Sequence, residues 1–169
     1  AGVAETLIGN EKRTIRFASK ASLLASATYQ SGELPPVAEK LTQYTISLRV
    51  ESGSNDLVDG EVTTSLPSYV SWLDLSSGDG QVSFNPSART VLWEVGDVPS
   101  NNDATISFTI GFLPSISQVG KAPTLISSLN LKATDRFTGT VVRDTVPALT
   151  TVLSPEAGFD REDGFVERE

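Results

Sequence analysis

The residues of this chain that could do chemistry are mostly carboxylates. Asp56, Asp59 and Glu61 lie close together, Asp74 and Asp79 form a second group, and Asp97 and Asp103 bracket a third polar stretch. Oxygen donors on loop rims suit a hard cation, so calcium at Asp56, Asp59 and Glu61 is the metal site that the spacing allows. Solvated surface charge is the competing reading, and the stronger one. Asp160-Arg161-Glu162-Asp163-Gly164 holds fragments of a calcium loop but not its alternation of ligands. Asp74 with Glu94 is the pair a glycosidase would need as acid and base, the least favoured reading in so small a chain. A lysine–asparagine crosslink, known from cell-surface sandwiches, would need a buried carboxylate between its partners. Lys40 or Lys132 with Asn130 are its candidates.

Other chemistries are removed by what is missing. The 169 residues contain no cysteine, histidine or methionine. That excludes a thiolate nucleophile, a disulfide, a Ser-His-Asp triad and an ordinary zinc site. There is no Gly-x-Ser-x-Gly elbow and no phosphate-cradling glycine loop. The net charge of −8 and pI near 4.5 argue against a nucleic-acid partner, which needs clustered Lys and Arg. No apolar run is long enough to cross a bilayer, and the mean hydropathy of −0.07 is ordinary for a globular fold. The chain begins at Ala1 rather than methionine, as expected of a processed or excised chain.

These residues must be positioned by strands. Gln43 to Val50 puts Tyr44, Ile46, Leu48 and Val50 on one face and Thr45, Ser47 and Arg49 on the other, the period-two signature of a half-buried strand. Thr105 to Phe112 repeats it with Ile106, Phe108, Ile110 and Phe112, and Thr90 to Val95 with Val91, Trp93 and Val95. Glu61 to Leu66 ends at Pro67. Gln81 to Asn85 and Thr90 to Val95 flank Pro86 to Arg89 as a hairpin. Ala21 to Tyr29 reads as a strand carrying Leu23, Ala25, Ala27 and Tyr29 inward, with a helix as the alternative that its alanines and leucines favour, and Thr14 to Phe17 reads as a shorter strand. The two prolines of Ser31 to Pro36 keep that segment out of a central strand, and the bend is expected to carry the chain from one sheet to the other. Ser76 to Gly80 reads as a turn. Thr124 to Thr134 places Leu125, Leu129, Leu131 and Ala133 in register. Asp135 to Gly139 turns into Thr140 to Thr145, and Leu149 to Leu153 comes last.

Short strands at about ten-residue spacing, with turn signals between them, predict an all-β fold: an antiparallel Ig-like β-sandwich of about 7–9 strands with an N-terminal strand extension. Residues 1–33 form the extension with the first strand or strands, 34–153 the sandwich, and 154–169 an acidic C-terminal tail. Trp93 belongs to the core by its alternation. Trp72, just past a strand-ending proline, either packs or offers a sugar-stacking face.

An ordered series of motifs resembles a prokaryotic surface-protein Ig-like repeat, the "domain of unknown function eleven" family. The series runs Tyr44-Thr45-Ile46, a turn with Asn55, Val62 to Leu66-Pro67, Val70 and Trp72. It continues with Asn85-Pro86, Thr90-Val91-Leu92-Trp93, Gly96 and the apolar Thr105 to Phe112. The resemblance covers about residues 34–153. This chain departs from the family at Ser52 to Asp56, where an Asn-x-Gly turn is usual, and in its long Pro114 to Pro123 connection. The resemblance implies a module of an exported extracellular or cell-surface protein and transfers no catalytic or binding residue.

The expectation is therefore a non-enzymatic structural module of a cell-surface, S-layer-like or filament-forming protein. It would act through rigid packing and edge-strand or end-to-end association with neighbouring domains or identical subunits. The alternative is an adhesin-type module that binds a glycan or protein through loops 74–80, 97–103 and 114–123. The segment around residues 14–30 either pairs within its own domain or adds a strand to a neighbour.

Overall fold

Ladders replace the alternation seen in the sequence. A computed structural model describes residues 15–153 and 158–169. Its eleven strands are β1 (Ser22–Ser31), β2 (Thr42–Glu51), β3 (Leu57–Ser65), β4 (Val70–Gly78), β5 (Gln81–Asn85), β6 (Thr90–Val98), β7 (Asp103–Phe112), β8 (Thr124–Ile126), β9 (Leu129–Asp135), β10 (Val141–Val146) and β11 (Leu149–Thr150). One sheet has the order β1-β2-β7-β4 and the other β10-β9-β3-β6-β5, with β8 and β11 as a separate two-stranded ribbon. The fold is the expected antiparallel β-sandwich, with nine strands in its two facing sheets.

β2 and β7 pair without a break from Thr42↔Phe112 to Glu51↔Asp103. Each therefore presents its apolar set to the same side: Tyr44, Ile46, Leu48 and Val50 beside Ile106, Phe108, Ile110 and Phe112. The opposite sheet answers with Leu57, Val62, Val91, Trp93, Leu129 and Leu131. Each fully buried aliphatic side chain contributes about 1.5–3 kcal/mol. Trp93 is completely buried, and its indole N–H donates to the Asp79 carbonyl at 2.8 Å. That contact depends on the turn between β4 and β5. Gly80 has φ of +71°, and a Cβ there would stand 2.2 Å from the Glu94 carbonyl oxygen.

Four elements differ from the sequence expectation. Of the strand expected over Thr14 to Phe17, Thr14 lies outside the described residues, residues 15–21 form no strand, and Ile15 and Phe17 project into solvent. The 31–36 bend does not change sheets, because β1 and β2 are antiparallel neighbours from Ser22↔Glu51 to Ser31↔Gln43. Ser76 to Gly78 are not a free loop. They pair with Phe108, Ser107 and Ile106 as the end of edge strand β4, after a bulge in which Asp74 takes φ of +54°. The 124–134 run breaks at Ser127, whose N–H donates to the Ser65 carbonyl, so that β8 leaves the main sheet and β9 enters it.

The Tyr44 hydroxyl is buried with no hydrogen-bond partner among the described residues, and burial pushes its pKa well above the usual phenol range. Tyr44→Phe keeps the ring contact with Phe112, whose centroid lies 6.3 Å away, and removes an orphaned polar group. Stability in a urea titration is expected to stay level or rise by about 1 kcal/mol. A loss of that size would show that the hydroxyl is satisfied.

Candidate functional site

The acidic residues named from the sequence have local partners. Asp56 Oδ1 accepts the Ser100 N–H at 2.8 Å. Asp59 is exposed, with φ of +52°, where the β3 register shifts between Leu57 and Gly60. Glu61 lies 3.6 Å from the Lys132 ammonium. Asp79 clips its turn to β7 by accepting the Thr105 N–H at 2.9 Å. Among the described residues no three acidic side chains converge as a cation-holding group. Asp74 and Glu94 lie in different sheets, and the cross-strand partners of Glu94 are Glu61 and Gln81.

Lys132 and Asn130 share the outer face of β9. Asn130 accepts from the Thr145 hydroxyl at 3.2 Å, and the carboxylate beside Lys132 is exposed rather than buried. Lys40 instead meets Glu169 at 2.9 Å on the surface. Trp72 is half-buried, stacked on Phe84 at 5.9 Å and tilted against Phe108 at 5.1 Å. Those contacts occupy faces that a sugar would need.

Sequence reading missed the carboxylate that organises one end of the sandwich. Asp135, at the end of β9, is fully buried. Its Oδ2 accepts the Ser19 N–H at 2.6 Å and the Asn55 amide at 2.8 Å. Its Oδ1 accepts the N–H groups of Phe137 and Thr138, both at 2.9 Å, an Asx-type turn into β10. Burial alone would raise its pKa, but the donors from Asn55, Ser19 and Thr138 outweigh that and hold it at about 2. Asn55 also donates to the Phe17 carbonyl at 3.0 Å, and its own N–H donates to Ser19 Oγ at 2.7 Å. Arg16 sits over the Phe137 ring at 5.1 Å. The lead-in to β1 is thus fastened to two loops by side chains rather than by a ladder. A buried carboxylate with an asparagine beside it is two-thirds of the crosslinking arrangement, but a backbone N–H stands in the third place.

The opposite end has its own fastening. Val166 is buried and bridges Val119 in parallel, while Glu167 bridges Val37. The Glu167 N–H donates to the Pro36 carbonyl at 2.8 Å, and the Ala38 N–H returns to the Glu167 carbonyl at 2.9 Å. Nearby, Arg89 donates to the carbonyls of Leu66 at 3.0 Å and Pro67 at 2.7 Å, and also to that of Val70. Because Ser22 pairs with Glu51 while Val166 lies by Val37 and Val119, the two fastenings sit at opposite ends of the strands.

No protein-family model and no curated protein matches the chain. Similarity appears among solved structures. The chain is similar to BcpA*, a form of the major pilin subunit of Bacillus cereus, with TM-score 0.55 and 10% identity over 78% of this chain and 40% of that one. It is also similar to the RrgA Jo.In complex, with TM-score 0.53 and 9% identity over 84% of this chain and 90% of that one. At these identities the likeness defines the class of fold, a sandwich of the kind found in pilin domains. The chain spans about 40% of the length of the Bacillus cereus pilin.

The Asp135 node predicts a specific pH response. A carboxyl held below its unfolded pKa of 3.8 contributes stability that is complete above that value and is lost as pH falls towards about 2. Asp135→Asn presents an amide N–H to donors, so it is expected to cost about 3 kcal/mol at neutral pH. It should also flatten the stability profile between pH 4 and 2. Denaturant titrations across that range measure both, and an unchanged acid limb in the variant would contradict the assignment.

Proposed function

We propose that the chain is a non-enzymatic structural module of an exported cell-surface or filament-forming assembly, joined to neighbouring domains or subunits at its ends. The observation that carries this reading is the pair of fastenings at opposite ends. The segment leading into β1 is held by Asp135, and the segment around Val166 is held between the 36–38 and 119–121 loops. Tension between these points runs along the strands. The Asp135 contacts take that load first, and once they yield the β1–β2 ladder is loaded in shear, so the pairs from Ser22↔Glu51 to Ser31↔Gln43 must yield together rather than one at a time.

Two further features support the reading. The inventory lacks cysteine and histidine, and Asp56, Asp79 and Glu61 are engaged in turns and a surface pair. The ordered motif series, from Tyr44-Thr45-Ile46 to Thr105 to Phe112, and a fold shared with the Bacillus cereus pilin both fit a surface module.

The test has two arms. Protease added to intact cells producing the parent chain is expected to cut it, and full protection would contradict an exterior location. Pulling single molecules from residues 15 and 167 is expected to give one cooperative high-force rupture. The release of residues 15–21, a step of about 25 Å, precedes that rupture and should move to lower force in Asp135→Asn. A strand-by-strand low-force unzipping of the parent sequence would contradict the mechanical role.

A further inference from the structure

The five-stranded sheet carries the charge of its outer face in one ordered row. Across β6, β3, β9 and β10 the register aligns Glu94, Glu61, Lys132 and Arg143. Acids come first and bases second, so like charges are direct cross-strand neighbours at Glu94↔Glu61 and at Lys132↔Arg143. Within one molecule that order is unfavourable, because like charges directly opposite on paired strands repel. One contact offsets it in part: the Lys132 ammonium stands 3.6 Å from Glu61. The outer members, Glu94 and Arg143, are exposed and have no ion-pair partner among the described residues. The flanking rows are uncharged, with Leu92, Thr63, Asn130 and Thr145 on one side and Val58, Thr134 and Val141 on the other. Asp59 and the Arg136–Asp97 pair stand at the margin near Asp135. A hollow of about 350 Å³ opens at the basic half of the row, lined by Asn130 and Thr145 as well as Lys132 and Arg143.

We infer that this face docks on the same face of a second copy of the chain, with the charged row set against itself in reverse. The order acid, acid, base, base is its own complement when turned end for end. A two-fold axis parallel to the strands, passing between β3 and β9, sets Glu94 against Arg143 of the second copy and Glu61 against its Lys132. The charges themselves select that axis. One running along the row would set every residue against its own like, and one displaced onto β3 or β9 would set Glu61 or Lys132 against itself. Facing sheets stand ~10 Å apart, a gap that long charged side chains close from both sides. The same axis brings Leu92 of one copy over Thr145 of the other, at the hollow in the basic half. Copies of net charge −8 repel at a distance, so the contact depends on this local match of opposite signs. Four strands ~19 Å across and about eight residues long offer roughly 500 Å² per copy. A pair then buries about 1,000 Å², the lower bound for a specific interface, which implies reversible association. The inference rests on the assembly reading above and supplies its lateral contact, distinct from the end-to-end one.

Sedimentation velocity on the 169-residue chain tests it from ~10 µM to ~1 mM, at about 0.15 M salt to screen the distant repulsion. A concentration-dependent dimer is expected. Lys132→Glu and Glu61→Lys should each weaken self-association about tenfold or more, since each brings like charges together across the axis. Glu61→Lys also makes the chain less acidic, so tighter association in that variant would mean that net charge governs and would overturn the pairing. An equal mixture of the two variants should form a heterodimer about as tight as the parent pair, because every facing pair is again opposite in sign. Circular dichroism checks that each variant is folded, and the heterodimer itself requires two folded partners. A mixture that stays monomeric overturns the reversed row. Association that survives both single changes overturns this face but leaves end-to-end assembly standing. A monomer of the parent chain at every concentration overturns the lateral contact, and end-to-end joining is then judged by the pulling experiment. Retention on an acidic glycan that Lys132→Glu abolishes, without dimerisation, overturns the second copy and assigns the row to a sugar.

Discussion

The unbroken register between β2 and β7 is the constraint on which the rest of the molecule depends. A slip of one residue would turn Tyr44, Ile46, Leu48 and Val50 to solvent and put Thr45, Ser47 and Arg49 against Trp93. With the register fixed, β1 and β4 add at either side, and their sheet has one apolar and one hydroxyl-rich face. The second sheet is then positioned by what it must cover. Leu57, Val62, Trp93 and Leu131 fill the space over the β2–β7 pair, and Trp93 in turn requires the tight passage at Gly78 and Gly80.

A buried charge completes what apolar packing leaves undone. The lead-in at residues 15–21 has little to bury and makes no ladder, so hydrophobic contact alone would not hold it. Asp135 holds it because every acceptor position on the carboxylate is filled by an N–H donor. Desolvating a carboxylate is costly, and the site tolerates that cost only as a complete set of hydrogen bonds. At the other end Val166 reaches the core through an apolar side chain and two backbone bridges. The two ends are fastened by different physics, one through a buried charge and the other through an apolar side chain and backbone bridges.

The sandwich was legible because alternation is a local property. Thr105 to Phe112 and Gln43 to Val50 declare their inward faces within ten residues, and Trp93 follows from Val91 and Val95. The Asp135 contacts were not legible, since Ser19 and Asn55 are far from it in the chain and no local pattern marks their meeting. β4 was hidden because its bulge at Leu73 to Leu75 breaks the period of two. The 31–36 bend misled for a different reason. Paired prolines exclude a central strand but do not determine whether the chain crosses between sheets. The acidic tail likewise concealed Val166, which sits in a largely charged run and is buried where its segment bridges Val119 and Val37.

The molecule has β2–β7 as its spine and ends that are tied down separately. Native-state hydrogen exchange read by NMR addresses that most directly. Amides of Tyr44 to Val50 and Ile106 to Phe112 are expected to exchange only through global unfolding. The Ser19 amide, outside any strand, should be protected well beyond its exposed neighbours Ile15 to Ala18. Rapid exchange at Ser19, or β2 and β7 amides opening before those of the β8–β11 ribbon, would contradict it.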